Sequence, residues 1–319
     1  MRQDLLSANV VLAANRIAPY ICETLLDHSP FFSELTGANV FLKLENLQFT
    51  GSFKLRGAFN KLLSMTSEQR AAGCVSASSG NHGAAVAFVM SKLDTKGVIF
   101  VPEGTSTAKV ETIKNAGGKV RFIGTDGLDT EKFARKYAAE NGMYYLSPYN
   151  DEDVIAGQGT CGVEIAKQLP QVDAIFIAVG GGGLISGVGS FLKLINPSIS
   201  VVACQPAASA VMTESVKAGE ILELQSKPTL SDGTAGGIEA DAITFDICRT
   251  VTDDYVVVSE DQIAEAIRQF IDAHHMLAEG AAGVALAGLK LRADKYEGKN
   301  VVVIVCGGNI SKETLEKII

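Results

Sequence analysis

AIFIAVGGGGLISGVGSFL, residues 174–192, is the stretch that decides the fold. It carries no charge and is long enough to cross a bilayer on length alone. Four consecutive glycines, Gly180, Gly181, Gly182 and Gly183, cut it in two. The half at 174–179 is an apolar run suited to a strand buried on both faces of a parallel sheet, and the half from Leu184 is compatible with a helix. Strand, turn and helix is therefore the expected reading, and a membrane span is not. Working outward, the same alternation recurs. Further strands are expected at 40–44, 73–77, 97–101, 119–123, 200–204, 255–258 and 301–305. Helices are expected to begin near Ser52, Gly80, Ser106, Asp126, Glu152, Gly183, Ser259 and Ser311, where small or polar residues can satisfy first-turn amides. This pattern predicts an α/β fold with a largely parallel sheet. No repeat or low-complexity tract interrupts it. Residues 225–241, with Pro228 and three glycines after Asp232, read as a loop of functional length.

Composition narrows the partners. At 319 residues and 47% apolar content, the chain can bury one large or two intertwined cores without covalent staples. A formal charge of -8 argues against nucleic acid or an anionic membrane surface as partner. The six cysteines (Cys22, Cys74, Cys161, Cys204, Cys248, Cys306) are scattered, with no Cys-x-x-Cys pair and no signal peptide ahead of them. A reducing, cytoplasmic location is expected.

Three turns follow predicted strands: Ser78-Ser79-Gly80 after Ala77, the glycine run after Val179, and Cys306-Gly307-Gly308-Asn309 after Val305. Ligands of open α/β sheets sit at the carboxyl ends of strands, so these turns are expected to share a crevice. At the glycine run, absent Cβ atoms let backbone N–H groups close around an anion at a helix amino end. The dinucleotide fingerprint fails there, since Ser186 stands three residues after Gly183 and Gln205, not an acid, ends the next strand. The nucleotide P-loop fails too, because Val188 follows Gly187 where lysine is required. A single terminal phosphate fits best; the plainer alternative is a tight turn with close helix packing. Ser78, Ser79, Gly80, Asn81 and His82, before Gly83, offer hydroxyls, an amide and backbone donors suited to a carboxylate, although Ser and Asn at a helix entrance also serve as caps. Lys54 lies in Gly51-Ser52-Phe53-Lys54-Leu55-Arg56-Gly57. Alone it would read as a solvated charge, but with a phosphate turn and a carboxylate turn it reads as an imine-forming lysine for pyridoxal phosphate.

In this order and spacing, the three segments resemble the serine/threonine dehydratase and serine racemase family of pyridoxal-phosphate enzymes. The resemblance covers nearly the whole chain. Lys43-Leu44-Glu45-Asn46, Ala156-Gly157-Gln158-Gly159-Thr160, Glu279 with Ala281-Ala282-Gly283, and Cys306-Gly307-Gly308-Asn309 support it. It implies fold type II, the tryptophan synthase β-like fold: two three-layer domains with largely parallel central sheets. A large cofactor-binding domain would comprise 1–71 and 149–319, and a small domain 72–148.

Carried over by resemblance, Lys54 binds the cofactor covalently and Phe53 packs beside its ring. Asn81 hydrogen-bonds the ring hydroxyl, Gly180 to Gly183 with Leu184 hold the phosphate, and Cys306 faces the pyridine nitrogen, where relatives often have Ser. A neutral thiol does not stabilise a protonated pyridine, which favours elimination over transamination. The implied reaction is β-elimination on L-serine, L-threonine or a related 3-hydroxy amino acid, giving a 2-oxo acid and ammonia. The substrate carboxylate would lie on Ser78, Gly80, Asn81 and His82, with a purely structural His82 as the other option.

Ser79 divides the reading. Simple dehydratases often have Ala there, whereas racemases use Ser as the acid/base opposite the lysine. Amino-acid racemisation by Lys54 and Ser79 is therefore the alternative, and a cofactor-binding module without turnover is a third. No metal site is expected: Gln205-Pro206 stand where cation-dependent racemases show an acid, and His274-His275 are adjacent at a helix end. The chain ends soon after Cys306, so the regulatory domain of biosynthetic threonine dehydratases, and with it isoleucine feedback, is not expected. His82 speaks against the cysteine-synthase branch, and the loop at Ser231-Asp232-Gly233-Thr234 is expected to bear on side-chain selection. Relatives suggest a homodimer or higher homo-oligomer.

Overall fold

The computed structural model describes residues 3–319. Its strands are β1 (Leu26–His28), β2 (Asn39–Leu44), β3 (Cys74–Ala77), β4 (Gly97–Val101), β5 (Val120–Phe122), β6 (Tyr144–Tyr145), β7 (Ala174–Ala178), β8 (Ser200–Pro206), β9 (Asp254–Val258) and β10 (Asn300–Val305). They form a six-stranded sheet in the order β1-β2-β10-β7-β8-β9 and a four-stranded sheet in the order β5-β4-β3-β6. Every pairing is parallel except the antiparallel edge pair β1 and β2, where Leu26 stands opposite Lys43.

The stretch at 174–192 folds as its composition requires. Strand β7 sits in the middle of the larger sheet, and all five of its residues are buried. Helices cover both faces, so this strand has no polar face to alternate with. The helix Gly183–Ile195 begins on the last of the four glycines and is buried along its first ten residues. Among the described residues, no helix is long and apolar enough to cross a membrane.

The helix amino ends follow local chemistry. Ser106, Asp126, Ser259 and Ser311 each cap a helix by accepting a hydrogen bond from a first-turn backbone N–H. Ser259 and Gln262 complete a reciprocal capping box. Residues 220–242 hold no strand or α-helix, only a short 3-10 turn at Asp232–Thr234.

The smaller sheet draws its strands from residues 74–145, and the larger from 26–44 and 174–305. The carboxyl ends of β3, β7 and β10 lead into Ser78, Gly180 and Cys306. Parallel strands bring their ends to one side of a sheet, so two of these turns adjoin on the larger sheet and the third faces them from the smaller.

Candidate active site

Between the sheets lies a cleft of about 730 Å³ lined by Phe53, Lys54, the turn from Ser78 to His82, the glycines 180–183, Leu184 and Cys306. All the residues singled out in the sequence therefore come together. The cleft is also lined by Lys109, Tyr149 and Glu279, to which the sequence assigns no role in the site, by Asp232 and Thr234 of the loop expected to bear on side-chain selection, and by Asn309 of the turn expected to share the crevice.

Lys54 is the first residue of the helix Lys54–Ser64. The approach to it is tied to the far end of the chain: Phe53 N–H donates to Cys306 O at 3.1 Å, and Gly308 N–H to Gly51 O at 2.9 Å. Gly51 has a φ of +70°, and a Cβ there would stand 2.6 Å from Asn309 Oδ1, so glycine is needed on both counts. Lys54 Nζ reaches the carbonyl of Pro148 at 2.9 Å. Burial drives its pKa down to about 8, with the groups of Cys306 and Glu279 opposing the fall. An amine titrating there is largely available as a nucleophile in mildly alkaline solution.

A buried ionic network holds the helix that presents Lys54. Arg56, two residues on and fully buried, gives Nε and Nη2 to the two carboxylate oxygens of Glu45 at 2.8 and 2.7 Å. It gives Nη1 and Nη2 to those of Glu164 at 2.6 and 2.8 Å. Lys43 Nζ joins Glu164 Oε2 at 2.6 Å, Gln168 Oε1 at 2.9 Å and Thr24 O at 2.7 Å. Two cations face two carboxylates. Burial opposes ionisation of Glu45, but the attraction and hydrogen bonds of Arg56, with Lys43, outweigh it and hold its pKa below the usual value. The Lys43-Leu44-Glu45-Asn46 segment thus anchors the lysine helix.

At the glycine turn, Gly182 has a φ of +85°, and a Cβ there would meet Cys248 Sγ at 2.7 Å. A Cβ at Gly181 would strike the ring of Tyr149 at 2.4 Å, and one at Gly180 would stand 3.0 Å from Thr234 Cα. Because the helix starts at Gly183, the amides of Gly183 and Leu184 have no intrahelical acceptor. This is a cradle of backbone donors at a helix amino end, in which side chains would occupy the space.

Across the cleft, Ser78 Oγ accepts from Gly80 N–H at 3.2 Å, and Asn81 opens the helix Asn81–Lys92. Ser79 is half-buried. His82 Nε2 lies 3.0 Å from Leu146 O; a carbonyl only accepts, so that nitrogen carries the proton. Burial, reinforced by the charge of Lys54, pushes the His82 pKa down to about 3, which leaves a neutral ring whose buried Nδ1 has no hydrogen-bond partner. Burial raises the Cys306 thiol well above its ordinary value, so it stays protonated and uncharged.

Glu279 is the principal residue whose role the sequence does not disclose. It is nearly fully buried, and burial lifts its carboxyl to about 7 against the lowering effect of a hydrogen bond from Asn81. In the sequence it stands only in a segment that supports the family resemblance, with no role of its own.

The opposite shifts of Lys54 and Glu279 predict how stability follows pH in the cofactor-free protein. Between pH 4.5 and about 7 the folded state binds more protons than the unfolded one at Glu279, so stability falls as pH rises. Between about 8 and 10.5 the unfolded state binds more at Lys54, so its contribution rises with pH. The buried His82 opposes the Glu279 contribution up to about pH 6.5, and the buried thiols, raised by burial, oppose that of Lys54 above about pH 9. Urea unfolding therefore tests each group as a difference from wild type. Glu279→Gln should gain stability relative to wild type as pH rises from 4.5 to about 7, and Lys54→Met should lose it between about 8 and 10.5; differences that do not change with pH would rule out these assignments.

The residues present fit pyridoxal phosphate: a buried amine of depressed pKa for the aldehyde, a side-chain-free cradle for the phosphate, and a buried, uncharged thiol in the cleft lining. Comparison with known proteins agrees. The family described as "Pyridoxal-phosphate dependent enzyme" matches residues 17–307. The chain is 38% identical over 296 residues to an L-threonine ammonia-lyase of Thermotoga maritima, covering 93% of this chain and 73% of that protein. The processed form of threonine deaminase isoform 2 from Solanum lycopersicum superposes with a TM-score of 0.95 at 32% identity, covering 100% of this chain and 93% of that one. Maize serine racemase superposes with a TM-score of 0.92 at 32% identity, covering 97% and 95%. By its sequence and its fold, the chain belongs to the pyridoxal-phosphate-dependent enzyme family of fold type II, in the serine/threonine dehydratase and racemase group.

Proposed function

We propose that this protein is an ammonia-lyase that removes water from L-threonine, L-serine or a related 3-hydroxy amino acid, releasing a 2-oxo acid and ammonia. The observation that carries the proposal is the meeting in one cleft of a buried lysine of depressed pKa, a turn of hydroxyls and amides suited to a carboxylate, and a glycine turn of backbone donors suited to a phosphate. Bound pyridoxal phosphate supplies the electron sink that lowers the barrier to loss of the α-proton.

The protein's own groups do the rest. Lys54 carries the cofactor until substrate arrives and then takes the α-proton at Nζ. Ser78, Gly80 and Asn81 orient the substrate carboxylate, and the tautomer fixed on His82 leaves its Nδ1 as an acceptor behind them. The amides of the glycine run and Leu184 would hold the phosphate, and Phe53 would pack beside the ring. The neutral Cys306 thiol would hold the ring nitrogen without supplying the negative charge that a protonated pyridine needs, a setting that would favour elimination over transamination. The same proposal includes a large unit of 1–71 with 149–319 and a small unit of 72–148, since the two sheets draw their strands from separate ranges. It also includes a homodimer or higher assembly and a cytoplasmic location. Exposed Phe31 and Leu35 on one short helix support the former, and free cysteines the latter.

Purified protein with added cofactor should form 2-oxobutanoate from L-threonine or pyruvate from L-serine in step with ammonia. Absence of 2-oxo acid from L-Thr, L-Ser, D-Ser and 3-hydroxyaspartate alike would overturn the proposal. Ser79 favours a second reading, racemisation with Lys54 and Ser79 as the two proton-transfer groups, because it lines the same cleft as Lys54. Ser79→Ala should spare dehydration of the L-substrate and reduce formation of the D-amino acid by roughly 10²-fold or more. Chiral chromatography checks this, and equal loss of both activities would reject the division of labour.

A further inference from the structure

Glu279 stands at the amino cap of the helix Gly280–Leu291, yet its side chain makes no capping hydrogen bond. It turns to Asn81, whose Nδ2 lies 2.8 Å from Oε1 and 2.9 Å from Oε2. Backbone N–H of Asn309 donates to Oε2 at 3.3 Å. Asn309 Nδ2 donates to Asn81 Oδ1 at 2.7 Å and to Thr50 O at 2.9 Å.

The direction of every bond in this chain is fixed. Thr50 O can only accept, so the nitrogen of Asn309 must face it and also face the oxygen of Asn81. That leaves the nitrogen of Asn81 for the carboxyl of Glu279. A flipped Asn81 would set amide against amide and oxygen against carboxylate. The backbone is shaped around the acid as well: a Cβ on Gly307 would stand 2.6 Å from Glu279 Cδ. Asn81 follows β3 of the smaller sheet, whereas Asn309 follows β10 of the larger, and Glu279 N–H donates to Gly307 O at 3.0 Å. The hydrogen bonds therefore cross the cleft.

We propose that Glu279 is a positioning residue acting through Asn81: with Asn309 it clamps the helix Asn81–Lys92 to the larger sheet and fixes which way the Asn81 carboxamide faces the cofactor. The second half of this statement rests on the assignment of Asn81 to the cofactor; the clamp does not.

Two readouts separate them. In Glu279→Gln one acceptor remains, and whichever way the new amide turns it sets an N–H₂ group against Asn81 Nδ2, which both carboxylate oxygens of Glu279 face. Hydrogen–deuterium exchange of the full chain without cofactor should then speed up in the helix Asn81–Lys92, and the dissociation constant for pyridoxal phosphate should rise about tenfold. Adding Asn81→Asp inverts the pair, since the amide introduced by Glu279→Gln can donate to a carboxylate that still accepts from Asn309. Exchange in the cofactor-free double variant should return toward wild type, a rescue that a generally loosened fold would not show. Unchanged exchange in Glu279→Gln, or exchange in the double variant faster than in either single one, would overturn the clamp. Restored exchange with wild-type cofactor affinity in Glu279→Gln would keep the clamp and overturn the positioning of Asn81.

Discussion

Lys54→Ala lowers 2-oxo-acid formation from L-threonine by roughly 10⁴-fold while leaving the folded protein at least as stable as wild type. The loss follows from two roles in one amine: covalent attachment of the cofactor and removal of the α-proton, a step for which a positioned base contributes about 10²–10⁴-fold by itself. The retained stability follows from the pKa. A lysine driven down to about 8 by burial carries an unfavourable charge below that pH, and alanine removes it. Cofactor binding persists through the glycine cradle, with weaker affinity and without covalent attachment. Steady-state assays beside urea unfolding decide the matter. Near-normal turnover would contradict the role of Lys54, and a collapse of stability would recast it as structural.

The opposite balance is expected at Arg56, two residues away. Arg56→Met keeps much of the volume but leaves Glu45, fully buried, with only Lys43 and Thr24 Oγ1 as compensation. Breaking a buried ion pair by removing one partner costs about 3–5 kcal/mol, because a charge is left in a low-dielectric interior. Glu164, on the partly exposed side, can recover some solvation; Glu45 cannot. The loss should appear in the free energy of urea unfolding and shrink at low pH, where Glu45 takes up a proton. A destabilisation below about 1 kcal/mol, typical of an exposed pair, would show that the network does not anchor the lysine helix.

Much of the fold is legible in the chain, and where it is not the cause is physical. Strand β4 is legible at its observed bounds, and β7 and β10 within a residue, because each is a short apolar run soon ended by proline, glycine or small residues. The edge strand β1, with two of its three residues exposed, gives no periodic signal, and the two-residue β6 is shorter than any pattern. Ser106, Asp126, Ser259 and Ser311 mark helix starts because capping is a local interaction. The amino-terminal helix Gln3–Ile17 and the helix Gly280–Leu291 do not announce themselves: the first lacks a strong amphipathic pattern, and the second is so widely buried that its apolar residues show no period.

The site divides in the same way. Lys54, the glycine run and the turn from Ser78 to His82 are visible because their chemistry needs particular residues next to one another in the chain. Asn309 is foreseen with its turn but its bond to Asn81 is not, and Glu279 and Tyr149 are not visible at all, because each acts through a partner far away in sequence: Glu279 through Asn81, Tyr149 through its packing against Gly181. The loop at 225–241 reads as irregular, but nothing in it foretells that Asp232 meets Lys109 at 2.9 Å across the cleft or that Glu239 takes Arg135 at 2.8 Å.

Reduction with borohydride in the presence of pyridoxal phosphate, followed by peptide mass mapping, tests the central claim most directly. The account requires one stable cofactor adduct, on the peptide that contains Lys54, and none in Lys54→Ala. A label on another lysine, or no label at all, would contradict it.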